Sequence, residues 1–165
     1  MGSGKTTIGY RLAKKLELEF FDCDQEIENR TGASVNLIFE IEGENGFRMR
    51  ESRMLRELAA RKGVLLATGG GAVVSESNRK LLRKNGIVVY LRTSIDQQLD
   101  RLRRDRTRPL LQTDNRETRL QELARLRNPM YEEVADLVVP VKNRNVDKTV
   151  DQIYRAICAF EKQAS

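Results

Sequence analysis

The sequence predicts an α/β domain built on a parallel sheet, and three observations predict it. Short apolar runs alternate with amphipathic stretches of helical period. The runs are continuously apolar rather than alternating, the pattern of strands buried on both faces. A glycine-rich segment, Gly2-Ser3-Gly4-Lys5-Thr6-Thr7, opens straight into a helical stripe, as a phosphate-binding loop does.

The elements follow in order. From Thr6 onward, Ile8, Leu12, Ala13 and Leu16 form one apolar helix face. Leu18 to Phe21 reads as a strand ending at Asp22, and a helical stretch follows Asp24. Glu44 to Arg61 is a helix burying Phe47, Met54, Leu55 and Leu58. Val64 to Ala67 is the second strand, entered from Gly63 and leaving into Gly69-Gly70-Gly71. Ile87 to Leu91 is the third, entered from the Asn85-Gly86 turn. Ser94 and Gln97 form a capping box that opens a helix toward an arginine cluster. Leu120, Leu123 and Leu126 mark another helix, Leu137 to Val141 is the fourth strand, and Val146, Val150, Ile153, Ile157 and Phe160 give the last helix its apolar face. With three prolines, no repeats and no linker, residues 1–165 are expected to form a single domain.

Composition narrows the chemistry. Hydrophobic residues make up 39%, enough for a core, and charged residues 33%, above the usual 25% or so. There is no histidine, which excludes Ser-His-Asp and Cys-His catalysis, His-ligated zinc and a histidine acid/base. Cys23 and Cys158 stand too far apart for a CxxC motif, and no disulfide framework is expected. No apolar run is long enough to span a membrane and no leader peptide opens the chain, so a cytoplasmic protein is expected. The net charge is +6, of which Arg101, Arg103, Arg104, Arg106 and Arg108, opposed by Asp105, carry +4. Such a concentrated cluster without aromatics fits an anion clamp better than a nucleic-acid face.

Four features carry the chemistry. In the loop from Gly2 to Thr7, backbone amides and the helix N-terminus would hold phosphates, Lys5 would reach the β/γ-phosphates, and the Thr6 hydroxyl would ligate Mg²⁺. Asp22 and Asp24 sit at a strand's C-terminal end, where ligands gather in an α/β sheet. Asp22 could reach Mg²⁺ through water and Asp24 a substrate hydroxyl, although Asp24 would serve equally well as a helix cap. Gly69, Gly70 and Gly71 can offer amides to an oxyanion without side-chain obstruction. Arg48 and Glu51, at i,i+3 on the face opposite Phe47, are either an exposed ion pair or a guanidinium positioned for a carboxylate, with Arg127 as a second arm.

Taken together, Gly-x-Gly-Lys-Thr, Asp22-Cys23-Asp24, Gly-Glu-Asn-Gly-Phe-Arg-x-x-Glu (43–51), Ala-Thr-Gly-Gly-Gly-Ala-Val (67–73), Arg-Pro-Leu-Leu (108–111) and Arg-Asn-Pro-x-Tyr-x-Glu-Val-Ala (127–135) closely resemble bacterial shikimate kinases across essentially the whole chain. The resemblance implies transfer of the γ-phosphoryl group of ATP to the 3-hydroxyl of shikimate, with Mg²⁺, in aromatic amino-acid biosynthesis. It implies Gly2, Ser3, Gly4, Lys5, Thr6, Thr7, Arg101, Arg108 and Arg144 for ATP, with Arg101 and Arg144 flanking the adenine. For shikimate it implies Asp24, Arg48, Gly70 and Arg127, with Gly69 and Gly71 beside them and Glu51 orienting Arg48. Lys5, Asp24 and Arg108 would be catalytic, and Thr6 and Asp22 would serve the metal. A helical acceptor region over about 24–62 and a lid over about 101–114 are expected.

The implied fold is a three-layer P-loop kinase with a five-stranded parallel sheet of order 2-3-1-4-5. Its first strand, and the first glycine of G-x-x-x-x-G-K-[ST], would fall before Met1, so that strand is expected to be missing from this chain. A monomer without nucleic-acid or membrane partners is expected. Two alternatives compete: another small-molecule P-loop kinase, whose nucleotide or sugar-acid acceptor would call for a different pocket, and a catalytically silent nucleotide- or nucleic-acid-binding module. Arg48, Arg127 and Asp24 favour an acceptor that is a carboxylate bearing hydroxyls.

Overall fold

The computed structural model describes residues 3–102, 115–141 and 145–164. Helix α1 (Lys5–Leu16) opens from Gly4, whose left-handed backbone (φ 79°) turns the chain into the helix, and it buries Ile8, Gly9, Leu12 and Ala13. Strand β1 (Glu19–Asp22) returns alongside it. A Cβ on Gly9 would lie 2.7 Å from the Phe20 ring, so only glycine lets helix and strand approach this closely.

Asp22 caps α2 (Cys23–Thr31), accepting from the Asp24 and Gln25 amides. The structure therefore gives the capping role to Asp22 rather than Asp24, because the helix starts two residues earlier than expected. Helix α3 (Val35–Ala59) is capped by Ser34 and interrupted at Gly43 (φ 70°, ψ −178°). The part beyond that glycine is the helix read from Glu44 to Arg61, and it buries Phe47, Met54, Leu55 and Leu58 as expected. With Cys23, Ile27 and Ile38 these residues form one core cluster.

Strand β2 (Val64–Ala67) pairs in parallel with β1, from Glu19 opposite Val64 to Asp22 opposite Ala67. A 3₁₀ turn over Ala72–Val74 leads to α4 (Glu76–Asn85). Strand β3 (Val89–Arg92) follows, two residues later than the apolar run suggested, and the Ser94–Gln97 capping box forms in both directions ahead of α5 (Ile95–Leu102). Helix α6 (Arg116–Val134) contains Pro129. Strand β4 (Leu137–Pro140) pairs in parallel with β3, and α7 (Val146–Ala164) packs on α1 through Ile8, Leu12, Val150, Ile153 and Ile157. No described helix is long and apolar enough to cross a membrane.

The described strands form two parallel pairs, β1–β2 and β3–β4. Full burial of the strands, expected from their continuous apolarity, does not hold. Only Ala67 and Val139 are fully buried. For β2 and β3 the reason is a cavity of about 1070 Å³ between them, lined by Leu65, Leu66, Val89 and Leu91 together with Leu12 and Ile153 of the packed helices α1 and α7.

Candidate active site

The C-terminal ends of β1 and β2 and the N-terminus of α1 converge on the mouth of this cavity. Ser3, Gly4, Lys5, Thr6 and Thr7 line it together with Gly69, Gly70, Arg101 and Arg127. Lys5 and Thr6 stand in the first turn of α1, where unpaired amides and the helix dipole favour an anion. A Cβ on Gly4 would lie 3.7 Å from Arg101 Nη1, which puts that guanidinium beside the loop.

Asp22 joins the loop to the next element. Its Oδ2 accepts from Thr6 Oγ1 at 2.7 Å and lies 3.9 Å from Lys5 Nζ, while Oδ1 accepts from the Asp24 amide at 3.1 Å. A hydroxyl and a carboxylate within hydrogen-bond reach are hard oxygen donors suited to Mg²⁺, which takes few protein ligands and completes its shell with phosphate and water. Among the described residues, no group of three or more His, Cys, Asp or Glu gathers as an all-protein metal cage. The donor set fits a metal carried in with a phosphate ligand.

The glycine turn after β2 meets α2 and α3 at close range. A Cβ on Gly69 would lie 2.6 Å from Glu51 Oε1 and 3.2 Å from Asp24 Oδ1. One on Gly71 would lie 2.2 Å from Arg48 Nη2. The turn is thus pressed against the very side chains the sequence nominated, and a side chain there would displace them.

Arg48 donates from Nη1 to Glu51 Oε2 at 2.7 Å and from Nη2 to Glu44 Oε1 at 3.2 Å. Glu51 is 1% exposed, so this is a buried pair and not a solvated one. Nor does Arg48 face away from Phe47; its guanidinium lies 5.3 Å from the Phe47 ring centroid, since consecutive helix residues are only about 100° apart. Burial pushes the Glu51 carboxyl above its usual value, against the pull of Arg48. Burial works against the Arg48 charge, but Glu51 and Glu44 more than offset it and raise its pKa.

Arg127, on α6, is 5% exposed, and its Nε is buried without a hydrogen-bond partner among the described residues. Burial lowers its pKa, Tyr131 opposes that shift, and Arg48 adds to it. Two guanidiniums close enough to repel, with an unsatisfied donor between protein walls, form a site in want of an anion. Cys23, next to both aspartates, is inert: burial first, then Asp24 and Asp22, push its thiol up to about 12.

The structure brings together Lys5, Thr6, Asp22, Asp24, Arg48, Glu51, Gly69, Gly70, Gly71, Arg101 and Arg127. Gly2, Arg108 and Arg144 lie outside the described residues, as do positions 103–114 of the expected lid. Sequence reasoning missed Glu44, Asn78, Arg79 and Tyr131. Glu44 was visible at i,i+4 from Arg48, and Tyr131 at i,i+4 from Arg127.

Comparison with known proteins identifies the family. A family model described as shikimate kinase matches residues 1–158. The shikimate kinase of Thioalkalivibrio sulfidiphilus is 56% identical over 94% of this chain and 82% of its own length. That of Alteromonas mediterranea is 50% identical over 95% of this chain and 92% of its own. Among solved structures, shikimate kinase from Acinetobacter baumannii in complex with shikimate superposes with a TM-score of 0.94 at 47% identity, covering 96% of this chain and 89% of that one. Shikimate kinase from Bacteroides thetaiotaomicron gives a TM-score of 0.87 at 32% identity, covering 95% and 93%.

Proposed function

The chain belongs to the shikimate kinase family, and from that premise we propose how its residues share out the family's reaction. The reaction is transfer of the γ-phosphoryl group of ATP to the 3-hydroxyl of shikimate, giving shikimate 3-phosphate and ADP in the cytoplasm, on the route to aromatic amino acids. Little covalent help is needed; alignment and neutralisation of charge do the work.

The observation that carries the assignment is the half-buried Arg48 against Gly71 and the buried Arg127, which lines one cavity with Gly69, Gly70 and the phosphate loop. The two guanidiniums take the shikimate carboxylate, Glu51 holds Arg48 in its orientation, and the turn offers amides to the acceptor. Asp24 receives the acceptor hydroxyl and orients it, or takes its proton, as the phosphoryl group arrives. Lys5 and the loop amides of Gly2 to Thr7 cradle the ATP phosphates, with Arg108 completing the positive charge and Arg101 and Arg144 flanking the adenine. Thr6 and Asp22 hold Mg²⁺, which supplies further neutralisation of the phosphate oxygens when bound.

Residues 1–165 act as a single monomeric unit, with 24–62 as the acceptor region and 101–114 as the lid over ATP. We further read the space between β2 and β3 as the seat of a central parallel strand, giving the order 2-3-1-4-5 in which β1 to β4 are strands 2 to 5. What supports this is the half-exposed apolar edge that each of those two strands turns toward the cavity. A chain extended upstream by an apolar strand is then expected to melt well above the 165-residue chain, and equal Tm values would count against the order.

ADP release measured by a coupled assay, with and without shikimate, tests the function. Shikimate-stimulated turnover is expected from a chain carrying that strand, and its absence would refute the assignment.

A further inference from the structure

The glycine turn is held from behind. Asn78, buried on α4, donates to the Ala72 carbonyl at 3.0 Å. Arg79 donates to the Val73 carbonyl at 2.8 Å and to that of Val74 at 3.3 Å, and it pairs with Glu133 of α6. Within the turn the Ala72 amide donates to the Gly69 carbonyl and the Val74 amide to that of Gly71. The Gly70 carbonyl goes elsewhere: it accepts from the Tyr131 hydroxyl, 61 positions away on α6.

That hydroxyl donates to Gly70 and stands near the Arg127 guanidinium one helical turn earlier, close enough to oppose the fall in its pKa. Its ring is fixed independently, stacked on Tyr90 of β3 with centroids 4.9 Å apart and planes at 29°. The Tyr90 hydroxyl in turn donates to Asn128 at 3.2 Å, so the stack is tied to α6 from both sides. Because a peptide is planar and trans, fixing the direction of the Gly70 carbonyl also fixes the Gly71 N–H of the same unit. The turn's amide is therefore referenced to the same stretch of α6 that carries the Arg127 arm.

We propose that Tyr131 is a positioning residue for the acceptor site, its hydroxyl locking the Gly69–Gly71 turn to the Arg127 arm so that amide and guanidinium meet the acceptor carboxylate in register. The inference rests on the function proposed above and adds a residue to it. Tyr131 acts through Arg127 and Gly70 and does no chemistry of its own. Pre-setting two recognition groups against each other lowers the ordering cost that substrate binding would otherwise carry.

Tyr131→Phe keeps the ring, and with it the stack on Tyr90, while removing the bond to Gly70 and the hydroxyl beside Arg127. The KM for shikimate is expected to rise about tenfold, the scale of one bond to a charged group. The KM for ATP should stay within about twofold, and Tm within a few degrees. A cycle with Arg127→Lys supplies the second readout: the two substitutions are expected to be non-additive in shikimate KM, because both disturb how the Arg127 arm is set against the turn. An unchanged shikimate KM in Tyr131→Phe, or strict additivity in the cycle, overturns the proposal. So does a joint rise in both KM values with a large fall in Tm, which would mark a purely structural role. With both measured in the chain carrying the central strand, absence of shikimate-dependent turnover without the substitution overturns the underlying function and this inference with it, whereas normal turnover beside an unaffected Tyr131→Phe overturns this inference alone.

Discussion

Gly71→Ala probes the acceptor site with a single methyl group. Gly71 has φ −91° and ψ −8°, a backbone that alanine adopts freely, so any effect is steric. The added Cβ would stand 2.2 Å from Arg48 Nη2 and 2.3 Å from its Cζ and Nη1. Real Cβ contacts essentially never fall under 3.0 Å, so the guanidinium must retreat by roughly 1 Å, a displacement that can cost a positioned site about 100-fold. Retreat breaks the 2.7 Å bond to Glu51 and leaves that buried carboxylate without its main partner. A loss of about 1–3 kcal/mol is expected, a fall in Tm of roughly 3–10 °C for a chain of this size. The shikimate KM should rise at least about tenfold while the ATP KM stays nearly constant. Steady-state kinetics in both substrates and a thermal melt provide the test, with Gly86→Ala as the control because nothing lies within 4 Å of its added Cβ. An unchanged shikimate KM in Gly71→Ala would refute the claim that Arg48 is held against the turn.

Three further outcomes follow from the same geometry. Asp24→Asn should lower kcat by about 10²–10⁴ if the carboxylate serves the acceptor hydroxyl, with shikimate binding largely kept; equal losses in kcat and in binding measured by calorimetry would contradict that role. Glu51 has its pKa raised by burial above the usual 4.5, so the folded protein holds its proton longer than the unfolded chain, and ionising it costs stability as pH rises through and above that value. Glu51→Gln should therefore gain stability relative to wild type as pH rises from about 4 to 8, seen in paired melts, even as its shikimate KM increases; a difference moving the opposite way would show the shift has the wrong sign. Cys23, with its thiol pushed up to about 12 and its side chain buried, should resist iodoacetamide at pH 8 in the native protein while Cys158 reacts, and both should react on denaturation.

Much of this site is legible in the sequence, because phosphate and carboxylate recognition leave short-range marks. Glycines followed by Lys-Thr at a helix start, two aspartates after a strand, and a triple glycine after another all survive as loop chemistry, and the structure gathers them at one mouth. Helices with strong apolar stripes were equally clear. Strand burial was not, since continuous apolarity reports the hydrophobic demand of β2 and β3 and says nothing about what packs against their free edges. The Arg48–Glu51 pair was ambiguous for a similar reason: i,i+3 spacing is identical for an exposed pair and a buried one, and it is the fold, with Gly69 packed against Glu51, that sets its burial. Tyr131 escaped notice because its partner, the Gly70 carbonyl, is a backbone atom of a distant turn and leaves no signature in side-chain patterns.

The central claim is that Arg48 and Arg127 together recognise a carboxylate. It is tested most directly by comparing kcat/KM for shikimate with that for its methyl ester, which keeps the three hydroxyls and removes the charge. Two guanidinium arms, at about 1.5–3 kcal/mol each for bonds to a charged group, predict a loss of roughly 10²–10⁴ in kcat/KM. Turnover of the ester within about threefold of shikimate would contradict the account.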